Sequence, residues 1–272
     1  MDAYFDANLA NWNERARLHA SDTTGSYRIA QVLAGGSSLH AIEAEEIGAL
    51  GGLDVVHLQC HIGLDTLSLK HLGARSVTGL DFSPDALKAA RTFATKAGTE
   101  ARFVESSLYD APNALGAQYD LAFVTWGAIN WLPDIRGWAE VVAAVLRPGG
   151  RLYLLEGHPL LNQCEWRDGR PAITYDHRTP KAQPLAFDET QTYTGDARPL
   201  TQTRNYEWIH PIGDIVTALI QAGLRIDFLN EHERIAWRAF PEMIEVGVDL
   251  FVLPPGLPRM PLSFSIGATR SA

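Results

Sequence analysis

Hydrophobic and polar positions change period in a regular way along this chain. Residues 53–59 (LDVVHLQ) form a mostly apolar run, the pattern of a strand buried on both faces. Behind it Leu64, Leu67 and Leu72 mark a helix, and residues 75–81 (RSVTGLD) predict a second strand. Ser83-Pro84-Asp85 then supplies an N-cap, a proline at the first helical position and an acid in the first turn. The helix so opened carries Leu87, Ala90 and Phe93 or Ala94 on one side. The alternation continues through strands at 101–105 and 119–125 (YDLAFVT). Next come a helix marked by Ile135, Trp138, Val142 and Val145, a stop at Pro148-Gly149-Gly150, and a fifth strand at 151–156 (RLYLLE). Strands and helices alternating at this spacing predict an α/β fold: a parallel sheet with helices on both faces.

From about 160 to 208 the periodicity is lost, and Pro, Gly, Asp and Thr become frequent. Short alternating pieces, ITYDH and QTYTG, predict β-ribbon there, and an insertion this long often serves as a lid or binding surface. Regular structure resumes with a helix over 211–222 closed by Gly223, a strand over 224–232 and a terminal strand near 262–268. The chain thus divides into an N-terminal helical cap (1–50), an α/β core (51–159), a β-rich insertion or lid (160–208) and a C-terminal completion of the sheet (209–272).

Composition narrows the classes of function. With 46% hydrophobic and 20% charged residues, the chain can bury a core without metal or disulfide support. The net charge of −9, with no run of lysine or arginine, disfavours a nucleic-acid partner. No signal-peptide stretch opens the chain and no apolar window reaches membrane-span length, so no membrane partner is expected. Cys60 and Cys164 form no ligand-like spacing, which predicts neither a disulfide framework nor a metal site and fits the cytoplasm. Asn130 and Asp134 are too few oxygen ligands for a metal-assisted reaction.

In an open α/β sheet, ligands bind at the carboxyl ends of the strands, where the strand order reverses. The loop after the first strand runs Gln59-Cys60-His61-Ile62-Gly63-Leu64-Asp65-Thr66, and Asp81 closes the second strand, where an acid can accept hydrogen bonds from a ribose diol. The series HLQCHIGLDTLSLKHLGA, VTGLDFSPDALKAAR, FVESSLYDAP, YDLAFVTWGAINWLPD and LRPGGRLYLLEGHP resembles the class I S-adenosylmethionine-dependent methyltransferases over 53–159 in order and spacing. The N-terminal WNERARLHASD and the strand-rich tail are similar to a bacterial small-molecule branch of that family. The resemblance implies a Rossmann-like sheet with a seventh, antiparallel strand near 262–268, and S-adenosylmethionine as cofactor. It implies that Gln59, Cys60 and Gly63 lie under the amino-acid end of the cofactor, with Asp65 and Thr66 near that end. Asp81 would bind the ribose, Phe82 would meet the adenine, and Ser107 and Leu108 would frame it. Thr125 and Trp126 would border the sulfonium and the acceptor, and Arg15 would reach the cofactor carboxylate unless it is a surface charge of an N-terminal helix.

The chain departs from the family's acid-x-glycine-x-glycine-x-glycine loop, which reads His57-Leu58-Gln59-Cys60-His61-Ile62-Gly63. Ser107 stands where an aspartate often bonds the adenine amine. NAD is disfavoured, because Gln59 and His61 would crowd a pyrophosphate and Asp65 would repel it. Transfer from a sulfonium needs alignment and exclusion of water, with a base only for a weakly nucleophilic acceptor. His158, His210 and Glu156 are the catalytic candidates, and His19 is a further possible base. Each histidine has a structural reading as well. Trp12, His19, Tyr27, Trp126, Trp131 and Tyr206 are the candidates for acceptor contact, and together with Tyr175, Tyr193 and Trp208 they favour a flat or apolar small molecule. The Asn/Asp-Pro-Pro-aromatic motif of amino-methylating nucleic-acid enzymes is absent after the fourth strand, where TWGA stands. Two other readings stay open: a fold of this kind that holds cofactor without transfer, and an NAD-dependent oxidoreductase. The methylated atom and the oligomeric state stay open as well.

Overall fold

The apolar runs of the middle segment have no face that could meet water, and they assemble into a single sheet. The structure, a computed structural model, describes residues 3–271. Helices α1 (Ala3–His19), α2 (Ile29–Leu33) and α3 (Ala41–Glu46) come first. The alternating core follows: β1 (Asp54–Leu58), α4 (Leu64–His71), β2 (Ser76–Asp81), α5 (Pro84–Ala97), β3 (Arg102–Glu105), α6 (Ala111–Leu115), β4 (Tyr119–Thr125), α7 (Ile135–Val145) and β5 (Leu146–Gly157). After the short α8 (Pro159–Asn162) come the hairpin β6 (Cys164–Arg167) and β7 (Arg170–Ile173), and the pair β8 (Leu185–Asp188) and β9 (Arg204–Glu207). The chain ends with α9 (Ile212–Gln221), β10 (Leu224–His232), the two-residue strands β11 (Ile244–Glu245) and β12 (Phe251–Val252), and β13 (Ser263–Arg270).

The sheet order is β3-β2-β1-β4-β5-β13-β10, with β13 antiparallel to both neighbours. This is the Rossmann-like, seven-stranded, mostly parallel sheet expected from the sequence. The order reverses between β1 and β4, so the crevice lies above their carboxyl ends. On one face Trp138, Val142, Ile215 and Leu219 of α7 and α9 pack against β4, β5 and β13. On the other, α4 and α5 bury Leu67, Leu87, Ala90 and Phe93. The α5 start behaves as its sequence predicts, with Ser83 Oγ accepting Ala86 N–H at 3.1 Å. At the opposite edge of the sheet, Arg147 joins Asp54 at 2.8 Å and Asp120 at 2.6 Å.

Two local expectations need correction. The fifth strand is longer than 151–156, because Leu146 already pairs with Tyr119 and the residues of the Pro-Gly-Gly turn bulge out before pairing resumes at Leu121 and Arg151. In the insertion, only Ile173 of ITYDH lies in a strand and QTYTG lies in none. The Tyr175 hydroxyl turns back to Glu165 at 2.5 Å, and Gly195 takes a left-handed turn at φ +78°. Beyond Ile173, neither piece pairs with a partner strand. The ribbons of the insertion form beside them, in β6–β7 and β8–β9.

Gly63 sits where α4, α5 and β3 converge. Its φ is +76°, and a Cβ there would lie 2.7 Å from Ala90 Cβ and 2.8 Å from the Phe103 ring. Gly63→Ala should therefore cost roughly 2–4 kcal/mol, the sum of left-handed strain and overpacking. Urea unfolding measures this, and a loss below about 0.5 kcal/mol would show that the loop is free to move.

Candidate functional site

The β1–α4 loop keeps the backbone of a glycine loop with only one of its glycines, Gly63. Gln59 (φ +57°), His61 (φ +49°) and Gly63 are all left-handed, although each non-glycine there is strained by roughly 1 kcal/mol. Side chains hold the strain in place. Gln59 Nε2 donates to Ala128 O at 2.8 Å, and this leaves its Oε1 buried with no hydrogen-bond partner. His61 N–H donates to Asp81 Oδ2 at 2.8 Å. Burial pushes His61 down to about 3, so its ring is neutral. Cys60 packs into the core against Gly79, where a Cβ would lie 2.6 Å from its sulfur. Thr66 Oγ1 bonds His57 Nδ1 at 2.9 Å beneath the loop, so its hydroxyl is spent inside. Asp65 is half-buried at the start of α4, and Ser38 Oγ donates to it at 2.5 Å; burial raises its pKa.

Asp81 closes β2 with only 6% of its surface exposed. Besides His61 N–H it accepts Ser83 N–H at 2.9 Å, and the Phe82 amide also favours the charged carboxylate. Burial pushes it up to about 6, against those backbone bonds. Phe82 beside it is half-buried and Ser107 is exposed, whereas Leu108 is buried in the core.

The loop after β4 is fixed from below by Glu156, at the end of β5. Its Oε1 accepts Ala128 N–H at 2.6 Å and Ile129 N–H at 2.9 Å, and its Oε2 accepts Gly127 N–H at 2.6 Å. Burial pushes it up to about 7, while the three donors favour its charged form. All its bonds go to backbone, so Glu156 shapes the loop. Thr125 ends the strand, 8% exposed. Trp126 follows at φ +53°, its indole N–H donating to Glu43 Oε1 at 2.5 Å. Asn130 Nδ2 donates to Glu207 Oε2 at 3.0 Å, and Trp131 meets Trp12 edge to face at 5.1 Å.

Helix α1 covers this edge with a buried face that is polar: Asn8, Asn11, Arg15 and His19 are each at most 3% exposed. Their partners lie in the insertion. Asn8 bonds the backbone of Tyr206, Asn11 bonds Gln202 O at 2.5 Å, Arg15 pairs with Glu189, and His19 Nε2 meets Thr192 Oγ1. Arg15 is thus buried and paired, contrary to its surface-charge reading. His19 Nδ1 lies 2.8 Å from His61 Nε2 and 2.9 Å from the Tyr27 hydroxyl, which meets the Tyr193 hydroxyl at 2.5 Å. Tyr206 stacks at a tilt on Tyr4, 4.7 Å between centroids.

His158 and His210 each spend ring nitrogens on hydrogen bonds within the protein. His158 caps α8: its Nδ1 accepts Leu160 N–H at 3.0 Å, so the ring proton sits on Nε2 and donates to Glu231 Oε1 at 2.9 Å. Glu231 belongs to β10 at the sheet's edge, away from the β1–β4 crevice. His210 Nε2 donates to Leu132 O at 2.7 Å and ties the end of the insertion to the loop after β4. Burial lowers both pKa values.

This geometry has known counterparts. A protein-family profile described as a methyltransferase domain matches residues 56–152. Those residues are a methyltransferase domain. The ubiquinone biosynthesis O-methyltransferase of Cronobacter sakazakii is 29% identical over 110 residues, 40% of this chain and 44% of that protein, so the match spans less than half of the relative's length. An S-adenosylmethionine-dependent methyltransferase structure from Mesorhizobium loti aligns with a TM-score of 0.54 and 20% identity, over 82% of this chain and 93% of that one. One from Methanosarcina mazei aligns with a TM-score of 0.55 and 18% identity, over 86% and 98%. At these identities the structures share the fold.

The methyltransferase domain meets residues that the sequence reading passed over: Asn8, Asn11, Glu43 and Glu207. For the first two a signal existed, since α1 has no apolar stripe at helical spacing and its inner face must be polar. Glu43 had none; its partner Trp126 lies far along the chain. Among the described residues no helix is long and apolar enough to cross a membrane.

Two outcomes follow from these roles. His158→Ala should lower stability by roughly 0.5–2 kcal/mol, the worth of a helix cap, with turnover nearly intact; a turnover loss of about 10²-fold in an equally stable variant would restore the base role. Glu43 is fully buried and pushed from 4.5 up to about 8 by burial, then by nearby Asp65. The folded protein therefore keeps a proton that the unfolded chain releases, and stability falls as pH rises between those values. Glu43→Gln should gain roughly 1–3 kcal/mol on wild type between about pH 5 and about pH 8.5. Parallel stability curves for the two proteins would contradict this.

Proposed function

We propose that this chain transfers a methyl group from S-adenosylmethionine to a small, aromatic or apolar organic acceptor. The observation that carries the reading is the β1 loop, left-handed at Gln59, His61 and Gly63 and bonded through His61 N–H to Asp81. The residues fit the cofactor. Gln59 Oε1 is an orphaned buried acceptor for an ammonium donor, Gln59, Cys60 and Gly63 offer loop backbone, and Asp65 and Thr66 stand at the helix start. Asp81 offers a buried carboxylate for a ribose hydroxyl, beside Phe82, Ser107 and Leu108 for the adenine. Arg15 would reach the cofactor carboxylate only by leaving Glu189.

The cofactor supplies a methyl group already activated by positively charged sulfur. Thr125 ends β4 and Trp126 follows it beside that position, and the loop held by Glu156 keeps its shape without rearrangement, which favours alignment. Trp12, His19, Tyr27, Trp131 and Tyr206, with the insertion over 160–208, cover the crevice and exclude water. A dinucleotide fits poorly: Asp65 stands where a pyrophosphate would approach the helix, and the side chains of Gln59 and His61 occupy two glycine positions. The free cysteines and the net charge of −9 support a cytoplasmic protein that does not bind nucleic acid.

Asp81→Asn keeps the side chain's size and removes its charge. It should weaken S-adenosylmethionine binding by about 1.5–3 kcal/mol in calorimetric titration above about pH 7, where Asp81 is ionised. Unchanged affinity in a folded variant would take the ribose contact away from Asp81.

A further inference from the structure

Glu207 has no role in the methyl-transfer reading above. It ends β9, half-buried, with Oε2 accepting Asn130 Nδ2 at 3.0 Å and Oε1 accepting from no described residue. Asn130 belongs to the loop after β4, and that loop is tied to the β1 loop by the Gln59 side chain. One hydrogen bond therefore links Glu207 to the platform where the methyl group must be delivered. Its surroundings are rich in acceptors and short of donors. Asn130 Oδ1 is buried without a partner, and so is Oδ1 of Asn205, a fully buried residue two positions earlier on the same face of β9. The neighbouring cation, Arg15, is engaged by Glu189 and by Asn11.

A buried carbonyl oxygen or carboxylate left without a donor is costly, and an incoming O–H or N–H removes that cost. An anion would meet the charges of Glu207 and Glu189 and be repelled. Trp131 follows Asn130 and meets Trp12, whose ring lies under the neighbouring Arg15, so aromatic rings stand beside the pair. We infer that Glu207, oriented by Asn130, is the catalytic base and recognises an uncharged acceptor carrying an O–H or N–H on an aromatic ring. The inference rests on the methyl-transfer reading above. The acceptor's lone pair bonds the methyl carbon, the carbon–sulfur bond breaks with its electron pair going to sulfur, and the acceptor's proton passes to the Glu207 carboxylate.

Calorimetric titration of the full chain, saturated with S-adenosylhomocysteine, with phenol, anisole and benzoate tests this. Phenol should bind at least about tenfold more tightly than anisole, which lacks the donor, and than benzoate, which is anionic. In E207Q the phenol affinity should fall about tenfold, with anisole and S-adenosylhomocysteine binding unchanged. Equal binding of phenol and anisole to the wild type, no binding of phenol, or undiminished phenol binding to E207Q would overturn the assignment. The wild-type comparison needs no variant, so it decides even if E207Q fails to fold. Failure of the wild type to bind S-adenosylhomocysteine would instead remove the methyl-transfer reading, and this inference with it.

Discussion

The constraint on which the rest of this structure depends is the supply of acceptors for backbone N–H groups at the carboxyl edge of the sheet. Loops there leave the ladder and turn sharply, so their amides have no strand to pair with, and a buried amide without a partner is costly. Two buried carboxylates meet the need. Asp81 takes the amides of His61 and Ser83, and Glu156 takes those of Gly127, Ala128 and Ile129. Burial raises both pKa values, and the bonds oppose it. The loops of the crevice are thereby set before any ligand arrives, which suits a reaction that depends on alignment.

Much of the fold was legible because its signals are local. Apolar runs bounded by turn residues gave the strands, with 119–125 and 224–232 found at their expected limits, and Ser83-Pro84 gave the start of α5. The candidate site was legible only in part. The positions of Gln59, Gly63 and Asp81 follow from where they stand relative to β1 and β2. The left-handed backbone at Gln59 and His61 does not, since neither residue announces it and tertiary contacts impose it. His158 and Glu156 stand out in the sequence because they sit at a strand's end. Their partners, Leu160 N–H and the amides of 127–129, are backbone atoms that no residue pattern reveals. The pairing of α1 with the insertion was out of reach for another reason: its contacts join residues more than 170 positions apart.

That pairing has a physical cost and a use. A helix normally buries an apolar stripe, whereas α1 buries Asn8, Asn11, Arg15 and His19. Polar contacts exchange with water at little net free energy, unlike apolar burial. A cover closed by such contacts can let a cofactor and an acceptor enter without breaking the core beneath. The strain at His61 lies beneath this cover, next to that at Gln59, and the ordinary packing of α4, α5 and α7 supports it from below.

The most direct test of the account is which nucleotide-bearing molecule the crevice accepts. Thermal unfolding of the purified chain, alone and with saturating S-adenosylhomocysteine or NAD, measures it. The account predicts a rise in melting temperature with S-adenosylhomocysteine, equivalent to about 2.7 kcal/mol at a hundredfold excess over Kd, and none with NAD. A rise with NAD and none with S-adenosylhomocysteine would contradict it.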